Sequence, residues 1–291
     1  MFNNYYGGFF TYKKDLVGYS GQDAFGNNSG SIWIYLFLVL AITAIVLLSV
    51  FLRKTSHKKI DIYLKVLAIA IPTLEVIKIT VETYFDLKTG SGFNWTGLVP
   101  LYTCSLFLYT LPLAAFGKGR VKQNCTAFLV TLSIFAGLTN FLMPPILNTY
   151  PFFNFHSFVS LNFHFWMVFT GVFLIATKYY VPTWKDIFRG MVPLAQLSVI
   201  AIVFDYALKA DYMLYYNGSG APLLPDLANF FASKSFFGLM SLRFVYTIIV
   251  FLIYILICAI IVSVVRFICF IKGLVQKKLA TKKTLTKKNA K

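Results

Sequence analysis

Seven runs of mostly apolar residues order the chain: 32–52, 61–84, 95–117, 125–147, 157–180, 187–207 and 243–268. Each has about 20 residues or more, enough for an α-helix to cross the hydrocarbon of a bilayer. Main-chain polar groups find no water there, so the runs predict helices, which satisfy their own hydrogen bonds. The expected fold is all-α, a polytopic membrane helix bundle of seven transmembrane helices. The second run is the least apolar, carrying Asp61, Lys65, Glu75, Lys78 and Glu82. The seventh lies inside a longer apolar stretch, 238–272, so its ends are open.

The polar links between the runs set an orientation. Four Lys/Arg occupy 53–59, three occupy 118–122, the 178–189 link has Lys178, Lys185 and Arg189, and seven lysines follow residue 276. With seven spans these regions share a side. The other side has only Lys13, Lys14, Lys88, Lys209 and Lys234. Basic links face the cytoplasm, so the pattern predicts an outer N-terminus and a cytoplasmic C-terminus, in a multi-pass protein of the cell membrane. Trp33, Trp95 and Trp184 fall at predicted span ends, where amphipathic rings lie. The organisation expected is an outer segment (1–31), a transmembrane domain (32–272) and a basic tail (273–291). The outer segment carries no early apolar core with a cleavage site. The outer loop 208–237 contains Pro222 and Pro225, which argue against a plain helix through it.

Composition agrees with a bilayer. Hydrophobic residues are 58% and charged residues 13%, against about 25% charged in soluble domains. The net charge of +17 comes largely from one set of links and the tail, which predicts attraction to anionic lipid headgroups rather than nucleic-acid binding. The tail reads as disordered. Membrane lipids are the expected partners. The cysteines, Cys104, Cys125, Cys258 and Cys269, form no CxxC pair, so no disulfide framework, metal or cofactor is predicted.

Polar side chains within the runs are costly, which marks them as functional candidates. At about 1.5 Å per residue, Cys104 and His164 fall at similar depths below the outer face. Glu75, Lys78, Glu82, Asn140, Asn162, Asp205 and Arg243 also fall in the outer half, and predict a cavity opening outward. They are assigned to substrate binding or orientation. The inner half has little polar besides Lys65 and Gln196. Each group also has a structural reading. Glu75, Lys78 and Glu82 share a helical face and can pair internally. Asp205 can pair with Arg243, and the two asparagines can bond between helices. His57 and His156 read as surface groups. Cys104 and His164 suit a sharper role, because a thiol becomes a strong nucleophile when imidazole takes its proton. Glu75 or Asn162 could orient that imidazole.

Three segments carry a resemblance. Leu98-Val99-Pro100-Leu101-Tyr102-Thr103-Cys104-Ser105-Leu106 resembles the LPLHLC stretch of the YwaF-like bacterial integral membrane family. Asn162-Phe163-His164-Phe165 is similar to its aromatic–His motif, and Asp211-Tyr212-Met213 with Gly220-Ala221-Pro222 and Leu227 to its NYM…P loop. Tyr102 replaces the usual His, and Asp211 the usual Asn. The family is related to a eukaryotic transmembrane acyltransferase of ether-phospholipid remodelling. That resemblance implies Cys104 as nucleophile and His164 as base in a lipid acyltransferase. The alternative is a small-solute or lipid transporter or receptor, using the same cavity without covalent chemistry.

Overall fold

The computed structural model describes residues 9–12, 31–90, 95–142, 144–219, 223–236 and 240–289. The described chain is almost wholly helical. Its α-helices are α1 (Ser31–Phe51), α2 (His57–Lys88), α3 (Trp95–Leu98), α4 (Leu106–Phe116), α5 (Gly119–Leu129), α6 (Leu132–Leu142), α7 (Phe155–Ala176), α8 (Lys185–Leu208), α9 (Leu224–Ala232) and α10 (Arg243–Asn289). The two-residue strands β1 (Ser235–Phe236) and β2 (Met240–Ser241) pair antiparallel before α10.

Five segments are long and apolar enough to cross a membrane: Ile34–Lys54, Gly119–Leu147, Phe155–Ala176, Lys185–Leu208 and Arg243–Val275. The chain is therefore a membrane protein with several apolar helices. The second run forms one continuous helix, α2, but its charges keep it out of that set. The third run is broken, with non-helical backbone between Leu98 and Leu106.

The five differ in what covers them. Gly119–Leu147 is the most enclosed, while α1 and α10 are the least. On α10, Tyr246, Val250, Tyr254, Cys258 and Val262 are buried, whereas Ile248, Leu252, Leu256, Ile260 and Val264 are exposed. Both rows repeat every fourth residue, so each is one ridge of the same helix. An outer ridge made of Ile, Leu and Val suits lipid rather than water.

Small residues let the central helices touch. A Cβ on Gly171 of α7 would lie 2.5 Å from the Leu129 carbonyl oxygen of α5. One on Gly137 of α6 would lie 3.0 Å from the His164 carbonyl oxygen. Such positions admit only glycine, and they set the spacing at which helices in lipid pack.

The two ends of the bundle are built differently. At one, here the strap end, Thr11 and Tyr12 are tied down. The Asn154 amide donates to the Thr11 carbonyl at 2.8 Å, and the Tyr12 hydroxyl donates to Asp86 at the end of α2. The other, the basic end, gathers the starts of α2, α5 and α8. Tyr179 and Lys122 both bond Asp61 there.

Several expectations change. His156 is buried, stacked on Tyr150 with centroids 4.2 Å apart, because Asn154 caps α7 and turns the imidazole inward. His57 is exposed as expected. Pro225 does not stop a helix, since it occupies the first turn of α9, where the missing N–H costs nothing. Pro222 lies outside the described residues. The tail continues α10 as helix through Asn289 rather than coil. A helix already nucleated over many turns extends at low cost into Ala-, Lys- and Leu-containing sequence. Of the outer segment 1–31, only 9–12 and Ser31 are described. Trp184 is exposed beside α8, while the side chains of Trp33 and Trp95 lie outside the described residues.

Candidate functional site

Cys104 lies in the helix break of the third run, between α3 and α4. Non-helical backbone at membrane depth persists only where protein or a water-filled cavity covers it. Here protein supplies the cover. The Thr103 and Tyr254 hydroxyls are 2.7 Å apart, and Tyr254 donates onward to the Met213 carbonyl at 3.0 Å. The Tyr102 ring meets Tyr212 with centroids 5.3 Å apart. The break is thus clamped to the 211–219 loop, the third motif of the resemblance.

That loop is fixed by two acids. One Asp211 oxygen accepts the backbone N–H groups of Tyr216, Asn217 and Gly218, and the other accepts those of Ser219 and its hydroxyl. Asp205 Oδ1 accepts the Tyr212 N–H at 2.7 Å. Met213 and Leu214 have positive φ (52° and 63°), strained for residues with a side chain, and these anchors hold them. Tyr246 and Thr247 of α10 donate to the Leu214 and Tyr215 carbonyls.

His164 sits mid-way along α7, 6% exposed. Its Nδ1 lies 2.7 Å from the Ser160 carbonyl oxygen, one turn back. A carbonyl only accepts, so Nδ1 carries the proton and Nε2 presents a lone pair. Nε2 is buried and has no hydrogen-bond partner, Cys104 Sγ included. α4 and α7 are neighbours at this level, since Phe107, three residues beyond Cys104, packs edge-on against Phe163 with centroids 5.6 Å apart.

Lys78, on α2, pairs locally. Its Nζ bonds Glu75 at 2.6 Å in a half-buried pair. It is also near enough to act electrostatically on both Cys104 and His164. The remaining candidates go elsewhere. Glu82 lies by Tyr12 at the strap end. The Asn140 and Asn162 amides donate to Ala136 and Phe158 on their own helices, not across helices, because the carbonyl four residues back is the nearest acceptor. Asp205 does not pair with Arg243. Its Oδ1 serves Tyr212, and its buried Oδ2 has no partner. Arg243 stacks on the Tyr216 ring at 4.0 Å and bonds the Tyr216 carbonyl and the Asn217 side chain.

The basic end holds a polar cluster that depth counting missed. Asp61 accepts from Tyr179 at 2.6 Å and Lys122 at 3.2 Å. Asp186 accepts from Tyr180, Arg189, and both the N–H and hydroxyl of Thr183. Burial, then the bonded carboxylate, pushes the Tyr179 and Tyr180 phenols up, so both remain donors. The signal in the sequence was an acid one turn into an otherwise basic helix start, facing the Tyr179-Tyr180 pair. No group of three or more His, Cys, Asp or Glu able to hold a metal occurs among the described residues, and the cysteines are free thiols.

Neither a curated protein nor a solved structure matches the sequence significantly. A family model described as TMEM164 family matches residues 24–262, which take in the helix break, His164 and the 211–219 loop. With most of its length matched, this membrane protein belongs to the TMEM164 family.

Proposed function

We propose that the protein is a lipid acyltransferase of the cell membrane, with Cys104 as nucleophile and His164 as base. The observation that carries the reading is the buried imidazole with Nδ1 committed to Ser160 and Nε2 left bare. A buried nitrogen without a partner costs stability, which suits a group kept free for a proton. The Phe107–Phe163 contact brings the helices of Cys104 and His164 together at this level. The proton moves from Sγ to Nε2 as the thiolate attacks the ester carbonyl of a phospholipid. The ester C–O bond breaks, His164 returns the proton to the leaving alcohol, and a thioester forms on Cys104. A lysolipid hydroxyl then attacks the thioester as His164 takes its proton; the C–S bond breaks, the acyl chain passes to the lysolipid oxygen, and His164 returns the proton to the leaving sulfur, regenerating the thiol. An apo site is often looser than the reacting one, which accommodates the missing Sγ–Nε2 bond.

The proposal includes seven passes. α2 and the broken α3–α4 segment join the five apolar spans, with the N-terminus outside and the tail in the cytoplasm. The Lys/Arg asymmetry of the links supports that orientation. Glu75 and Lys78 neutralise each other, which favours an electrostatic role beside the thiol over binding of a charged solute.

The test is acyl transfer by purified protein from a labelled phospholipid to a lysolipid. Cys104→Ala abolishes transfer and labelling by an acyl-reactive probe, with the thermal midpoint little changed. Full activity in that variant excludes the thiol as nucleophile.

A further inference from the structure

The basic end of the bundle carries a second concave site, far along the helices from Cys104. Its volume is about 450 Å³, and His57, Asp61, Gly119, Lys122, Gln123 and Tyr179 line it. These residues come from three places in the sequence: the start of α2, the start of α5, and the link after α7. Convergence of polar side chains from separate segments on one hollow is how small-ligand sites are built.

The lining favours an anion. Asp61 is matched by Lys122 at 3.2 Å and by the Tyr179 hydroxyl at 2.6 Å, so it repels little. An ammonium has three N–H donors, so Lys122 keeps others for a ligand. His57 stands edge-on to the Tyr179 ring, centroids 5.3 Å apart. Lys58 and Arg120 lie one position from lining residues and add positive charge without a carboxylate partner among the ion pairs of the described residues.

The two helix starts agree. Neither α2 nor α5 has a side-chain cap or an acidic residue in its first turn. Each instead begins with cations, where the helix dipole is already positive. α8, at the same end, shows the usual solution: Asp186 in its first turn accepts the Thr183 N–H. At α2 and α5 the cations add to the positive end of each helix dipole, an arrangement that a bound anion would offset. Gly119, at φ +55° with nothing within 4 Å of a Cβ, leaves the start of α5 open to the hollow.

We propose that this cleft binds a phosphate group, either the headgroup phosphate of a membrane phospholipid or a soluble phosphate ester. The lining supplies a lysine and a histidine beside the open backbone of Gly119. That favours a group with several oxygens over a carboxylate. The site is independent of the thiol chemistry, and its failure would leave the acyl-transfer reading untouched.

The experiment uses the full chain in detergent and two readouts. The thermal midpoint is titrated with inorganic phosphate and with glycerol phosphate against chloride at equal ionic strength. Native mass spectrometry then measures phosphatidylglycerol retained after extraction from bilayers containing it. Wild-type protein is expected to show a saturable rise in midpoint, retained lipid, or both. Lys122→Gln weakens the response about tenfold, as loss of one charge-assisted hydrogen bond does. Gln123→Glu places a carboxylate in the cleft, so it raises the midpoint without ligand and removes the response. It changes an exposed side chain, so it tests the site even if Lys122→Gln folds poorly. Lys209→Gln, exposed at the opposite end of α8, changes neither readout. Retained lipid that blocks the inorganic phosphate response identifies the headgroup as ligand. A phosphate response without retained lipid identifies a soluble ester. No saturable response and no retained lipid overturns the proposal, as does a response that survives Gln123→Glu.

Discussion

The helix break around Cys104 and the cluster at the basic end handle buried titratable groups in opposite ways. At the basic end each buried acid is satisfied, with Asp186 accepting four hydrogen bonds from three residues. Near the break two buried atoms, His164 Nε2 and Asp205 Oδ2, have no partner. The same bundle solves the problem in one place and leaves it open in another. Ser49 Oγ and Ser133 Oγ are also open, but these are hydroxyls; near the break the open atoms belong to titratable groups, and a titratable group left open in a low-dielectric interior points to chemistry. The comparison predicts that mutations at the two regions separate activity from stability.

The largest separation is expected at His164. His164→Gln keeps a polar side chain near the same volume but removes the base. Acyl transfer should fall about 10²–10⁴-fold, the range for a positioned general base. The thermal midpoint should change little, because Nε2 holds nothing in place. Unchanged turnover would show that the open valence has no catalytic role. Asp186→Ala is the mirror experiment. It strands the donors of Tyr180, Thr183 and Arg189, with Asp186 itself 1% exposed. Stability should fall by about 2–4 kcal/mol, read from denaturation in detergent, while the turnover of folded protein persists.

The sequence made these regions unequally legible. Five of the seven runs coincide with apolar helices, because lipid imposes length and hydropathy directly on the residues. The polar layer was legible in depth but not in azimuth. Rise per residue gives how far Cys104 and Lys78 lie along their helices, not which way they face, and Glu82 went to the strap end accordingly. Asn140 and Asn162 bond locally because a helix offers its own carbonyls before any neighbour does. His156 was hidden by a cap: Asn154 accepts the His156 N–H at 3.0 Å, a contact that periodicity does not report. The break at 99–105 lies inside a run that is mostly apolar and free of charge, so hydropathy alone reads it as helix. Only Pro100 hinted at it.

Packing gives a smaller test of the same contrast. Gly171→Ala puts a methyl 2.5 Å from a main-chain oxygen of α5, which cannot swing aside as a side chain could. α5 and α7 must separate, costing about 1–3 kcal/mol, measured as a lowered midpoint. The site is about two turns away along α7, so activity in the folded fraction should remain.

The smallest effect is expected at Asp205, and it is the most discriminating for the argument from open valences. Asp205→Asn retains an oxygen for the Tyr212 N–H, so the 211–219 loop keeps its anchor. It also replaces the unpartnered Oδ2 with a neutral amide. If Oδ2 were silently bonded and structural, breaking that bond would cost as much as Asp186→Ala. If it is open, the substitution removes only a desolvated oxygen, and the midpoint should shift by less than about 1 kcal/mol in either direction. A reduced rate of acyl transfer at unchanged stability would then tie Asp205 to the clamp on the Cys104 segment through Tyr212 and Tyr102. An unchanged rate would confine the working valences to His164.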